Sequence, residues 1–155
     1  MSLIRDFQKL RQDRKIIDES MTACQIAKFD WQPSKVVSIR WMSDGQAVEM
    51  QSPFGVLAIV VPGRAYVAAI AELDETGSHS KLDILNSDGS FRRAISNSQQ
   101  IDGHKRAGMF CRFEPAQSAM PDCFGVIFRV AEEHSDYKLD INASDGTIVN
   151  CVLST

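Results

Sequence analysis

Two groups of side chains in this chain have types and spacings that could do chemistry, one acidic and one basic. The acidic group is duplicated: Asp83, Asn86 and Asp88 are matched by Asp140, Asn142 and Asp145, each set beside a glycine. Clustered oxygens near a glycine resemble a calcium loop, but such a loop needs carboxylates at alternate positions and a distant bidentate glutamate. Both sets break the alternation and lack the glutamate. Their expected role is turn chemistry, with side-chain oxygens accepting from nearby backbone N–H groups. The histidines are His79, His104 and His134, and His79-Ser80 and His134-Ser135 hold matching places in the two sets. A loop histidine without a paired base or a second ligand reads as a solvated residue. No metal site and no cofactor are therefore expected. Nucleophile motifs of the G-x-S-x-G and S-x-x-K kinds, phosphate loops, G-x-G-x-x-G and H-E-x-x-H do not occur, so no catalytic residue is assigned.

The basic group is Arg92-Arg93 on a strand-like run, with His104, Lys105 and Arg106 in the polar stretch 96–107, SNSQQIDGHKRA. Read as a loop carried by a rigid sheet, this stretch is the leading candidate for a binding surface. Arg92, Arg93, His104, Lys105 and Arg106 are the expected contacts for a protein partner or an anionic ligand. The stretch 114–122, with Pro115, Met120 and Pro121, would form the other lip of a groove. An alternative places a small-molecule site or an enzyme at a barrel mouth, using Arg129, Glu132, Glu133 or His134 near a strand end.

These residues hang on a repeated turn. Ser-Asp-Gly occurs at 43–45, 87–89 and 144–146, and the flanks of the last two agree, KLDILNSDGS against KLDINASDGT. Asp-Gly between extended runs is a strong hairpin signal, because both central residues of the favoured tight turn take positive φ. The reading is a mainly-β single domain over 1–155, an antiparallel meander of about ten strands. It has a first hairpin at 35–51 and two similar four-strand units at 55–96 and 108–153. Closure as a barrel or sandwich, or as propeller-like repeats, fits this pattern. The apolar run 55–62 predicts a central strand buried on both faces. Residues 1–20 predict an amphipathic helix, with Leu3, Phe7, Leu10 and Ile17 at helical spacing. Residues 20–34 form a connector, and Trp31 is expected to anchor it on the sheet.

Composition narrows the function classes. A net charge of −3 speaks against a nucleic-acid surface. No apolar run approaches the ~20 residues of a membrane-spanning helix. The charged N-terminal stretch lacks the apolar centre of a secretory signal, so a cytoplasmic location is the expectation. Cys24, Cys111, Cys123 and Cys151 show no C-x-x-C pair and read as reduced, mostly buried thiols, with a Cys111–Cys123 bridge as the alternative in an oxidising compartment. The expected function is a non-catalytic interaction module for a protein partner, an adaptor or a toxin-neutralising immunity-type protein. A structural subunit of a propeller-like homo-oligomer is the further alternative.

Overall fold

The fold is known from a computed structural model, which describes residues 3–28, 34–133 and 135–154. Thirteen strands occur among the described residues: β1 (Ile4–Arg11), β2 (Ile16–Asp18), β3 (Val36–Ser43), β4 (Gln46–Gln51), β5 (Val56–Val60), β6 (Tyr66–Glu72), β7 (Ser80–Asn86), β8 (Phe91–Ile95), β9 (Ser98–Ile101), β10 (His104–Glu114), β11 (Cys123–Val130), β12 (Ser135–Asn142) and β13 (Ile148–Ser154). One short helix, α1 (Ala23–Ala27), lies between β2 and β3. The strands form three sheets, ordered β2-β1-β3-β4, β5-β6-β7-β8 and β13-β12-β11-β10-β9. The fold is mainly β and antiparallel, as read, with thirteen strands rather than about ten.

The sheet from β5 to β8 lies between two cores. Along β6 the side chains alternate between them. Tyr66, Ala68 and Ile70 join Leu82, Ile84, Phe110, Phe124 and Phe128, whereas Val67, Ala69 and Ala71 join Ile4, Phe7, Ile39 and Trp41. A strand covered on both faces must be apolar throughout, and YVAAIAE of β6 is buried at every residue but the last. The central strand is therefore β6, and the expected one, β5, is an edge of its sheet with Leu57 47% exposed. Its unbroken apolar run has another cause, since β3 and β10 both pack against β5.

The N-terminal helix is replaced by β1 and β2. Between Arg5 and Gln8, β1 carries one more residue than its partner segment Met42 to Arg40, and Asp6 there takes φ +54. Such a bulge resets the strand's alternation, so Ile4 and Phe7 both face the core although they are three residues apart. Buried apolar residues three apart are also what a helix displays. True helix begins only at α1, where Thr22 and Gln25 form a reciprocal capping box. Trp31 and His134, each given a place in the sequence reading, lie outside the described residues.

The three Ser-Asp-Gly turns close three different hairpins. Ser43 pairs with Gln46 across Asp44 and Gly45, both at positive φ (52° and 75°), the geometry expected of Asp-Gly. In the second turn Asn86 N donates to Ser90 O, and only Gly89 is left-handed, at φ +87. The third is longer still, with Asn142 N donating to Thr147 O and only Gly146 left-handed. Positive φ at the aspartate is thus confined to the first turn. The β5–β6 turn ties the sheets together. Arg64 O accepts from Ile4 N, Arg64 Nε donates to Ile4 O, and Gly63 N donates to Pro121 O.

Candidate partner-binding surface

Side chains from two sheets, Trp41 of β3 and Arg92 of β8, gather all three Ser-Asp-Gly turns at one end of the molecule. Trp41 of β3, 1% exposed, donates from Nε1 to Ser87 O at 2.6 Å, which joins the first hairpin to the second turn. The Cβ that Gly89 lacks would lie 2.5 Å from Val48 on β4, so those two hairpins touch closely. Arg92 of β8 donates from Nε to Ser144 O at 2.9 Å, reaching the third turn, and from Nη1 to Asn86 Oδ1 at 3.1 Å. The guanidinium of Arg92 also lies 4.9 Å from the centre of the Tyr66 ring, a cation–π distance. Arg93, one residue on, packs its Cδ against Gly146. Between the first two turns is an open cleft of about 440 Å³, lined by Asp44, Tyr66, Asn86, Asp88 and Arg92 among others. Phe91 stands next to Arg92 with 61% of its surface exposed.

Two of the acidic residues, Asp88 and Asp145, act as the sequence reading expected, by bonding their own turns, and Asp83 and Asp140 do not. Asp88 Oδ1 accepts from Ser90 Oγ at 2.6 Å and Ser90 N at 2.9 Å, and Asp145 Oδ1 accepts from Thr147 N at 2.9 Å and Thr147 Oγ1 at 2.7 Å. These bonds favour the ionised form and hold both carboxyls below the ordinary carboxylate range. Asp83 pairs with Lys81 at 3.2 Å. Asp140, fully buried, accepts from Lys138 Nζ and from the backbone of Gln117 and Ser118, and so pins the stretch 114–122. No group of three or more acidic, histidine or cysteine side chains able to hold a metal occurs among the described residues.

The structure does not gather the five predicted contacts into one patch. Arg92 and Arg93 reach the turn that follows β12. Arg106 pairs with Glu133, just before β12, through Nη1 at 2.7 Å. The eight residues of β12 separate these places by roughly 25 Å at the rise of an extended strand. The stretch 96–107 is also not a loop. It forms β9 and the start of β10, with His104 opposite Ile101 and a tight turn at Asp102 and Gly103, φ 52° and 78°. The Asp-Gly signal was present there too, but polar flanks hid the strands. His104 and Lys105 are exposed on this hairpin.

Two residues of the barrel-mouth alternative are held by partners outside that set, Arg129 by Asp136 and Glu133 by Arg106. Arg129 holds Asp136 at 2.8 Å, and Lys35 holds Glu72 at 2.7 Å. These two basic side chains and Glu72 line an open cleft of about 430 Å³ that also exposes Met109 and Cys111. All four cysteines are free, which removes the Cys111–Cys123 bridge, and only Cys123 is buried. Burial of the surroundings raises the thiols of Cys111 and Cys151. Among the described residues no helix is long and apolar enough to cross a membrane.

Phe91 is the surface element that sequence reasoning missed, and buried Tyr66 is the ring that carries Arg92. The signal for Phe91 was local: an aromatic residue directly after a tight turn, followed by two arginines. Comparison with known proteins adds scale to this geometry. No protein-family model matches the chain, and neither does any curated protein. A chain in a solved structure described as "Structure of Tne2 in complex with Tni2" superposes with a TM-score of 0.93 at 33% sequence identity. The match covers 99% of this chain and 100% of that one.

Proposed function

The chain belongs to the family of the chain it matches in the Tne2–Tni2 complex, and from that premise we propose that it is an interaction module whose work is to hold one partner protein. The observation that carries this reading is the end-to-end match, at 33% identity, with a chain whose structure is a complex of two proteins. The finer reading is an immunity-type role, in which binding silences a harmful partner. The partner docks on the end where the three Ser-Asp-Gly turns meet. Phe91 is its apolar anchor, and Arg92, fixed by Ser144, Asn86 and Tyr66, is a preset cation beside it. Aromatic residues and arginine carry a disproportionate share of interface energy, and a side chain already held in place loses little entropy on binding.

The test is co-expression with homologues of Tne2 and of Tni2 from the same source. Co-elution of one of them with this chain is the expected result, and elution of this chain alone in both mixtures overturns the reading. Growth of cells that make the partner, with and without this chain, then tests the immunity-type role.

A further inference from the structure

Six strands lie at the edges of the three sheets, and five are protected against pairing with another chain. β2 spans Ile16–Asp18 and β9 spans Ser98–Ile101, so both are short. β4 carries Glu49, and β8 carries Arg92 and Arg93. β5 is uncharged, but β3 and β10 pack against it. Short length, charge and cover are the usual ways of blunting a sheet edge. β13 has none of these three, and carries only a bulge at Val149, beside its first residue. Its seven residues, IVNCVLS, contain no charge, its neighbour in the sheet is β12 alone, and Val149, Val152 and Leu153 are 43%, 39% and 58% exposed.

We propose that β13 is a self-association seam, at which two copies of this chain join their five-stranded sheets by antiparallel pairing of β13 with β13 about a two-fold axis at Cys151. The occupant is a second copy because the strand complements itself. With the axis at Cys151 the whole of Ile148–Ser154 is paired, Val149 meets the second copy's Leu153, and Asn150 meets its Val152. No like charges are brought face to face, whereas β8 paired with itself over its whole length would set Arg93 against Arg93. A two-fold contact of this kind closes on itself and stops at two chains. Paired strands with few side chains bury little surface, below about 1,200 Å², which places the dimer among weak, concentration-dependent contacts. The seam starts just past the third turn, but self-association and partner binding are read in different experiments, so the failure of one is distinguishable from that of the other.

Light scattering on the full chain across about 10 to about 500 µM, the range suited to a weak interface, gives the first measurement. A mass rising from 17.2 kDa toward twice that value is expected, and Leu153→Lys, confirmed folded by circular dichroism, should stay at the mass of one chain. Geometry is read by diamide, which removes two electrons and two protons from a thiol pair to form a disulfide. Either kind of antiparallel pair sets opposed Cα atoms about 4.5 to 5.5 Å apart, within the span of a disulfide. The Cys24→Ser variant should therefore form a cross-linked dimer, and the Cys24→Ser, Cys151→Ser variant should not. A single-chain mass over the whole range overturns the proposal. So does a dimer that survives Leu153→Lys and does not cross-link through Cys151, since its seam would lie elsewhere.

Discussion

Asp88 and Asp145 each hold a residue two positions on through two hydrogen bonds, and those bonds are strongest while the carboxylates are ionised. The folded-state values lie below the ordinary range. Their contribution is therefore complete above that range and is lost as pH falls through the folded values. Thermal unfolding followed from about pH 7 to about pH 3 should show Tm falling below about pH 4, and Asp88→Asn or Asp145→Asn should flatten that acid limb. Two glycines separate backbone strain from crowding. Gly45 has open space around it, so Gly45→Ala adds only the left-handed penalty of about 1 to 2 kcal/mol. Gly89→Ala adds the same penalty and a collision with Val48, so its Tm should fall further. On the other hairpin, Lys105→Glu should leave stability within about 0.5 kcal/mol. Arg106→Glu sets like charge beside Glu133 and should cost about 1 kcal/mol, visible by urea titration.

Trp41 connects elements rather than filling space alone. Phe in its place keeps most of the apolar contact with Phe7, whose ring centre is 6.1 Å away, but loses the bond to Ser87 O. Trp41→Phe should cost about 1 to 3 kcal/mol, measured as a lower Tm, and should loosen the three-turn end. The hairpins of β3 to β8 and of β10 to β13 were legible because alternation and turn residues acted together over short distances. The N-terminal strand was not, since a single bulged residue at Asp6 changes the burial period from two to three, and no local residue type announces it. β9 was hidden for the opposite reason: its Asp-Gly turn was visible, but SQQI buries only Ile101 fully and offers no apolar alternation. At the candidate site, Arg92 and Arg93 were found by charge. Their separation from Arg106 depends on the length of β12, which composition cannot supply.

At the scale of the whole molecule the reading turns on what remains available to a partner. Arg92, Arg106, Arg129, Lys35 and Lys138 all engage acceptors within the chain, so charge alone does not define a basic patch. Phe91 is the large side chain left uncovered beside a fixed cation. Phe91→Ala should weaken partner binding about tenfold or more, read by isothermal titration, with Tm unchanged because the ring is mostly in water. Reversing Lys105 should leave that affinity unaltered, since its hairpin lies toward the other end of β12.

The strand order also carries a kinetic consequence. Apart from β1 with β3, every pairing joins strands that follow one another in the chain. Loop closure is the slow and entropically costly part of assembling β-sheets, and rates fall as contacts become more distant in sequence. From Val36 onward this chain can zip hairpin upon hairpin as it leaves the ribosome, and only β1 must wait for a strand beyond the next one. Refolding should therefore be fast for a mainly-β protein, with protection of amide hydrogens in β6, β7, β11 and β12 preceding that in β1.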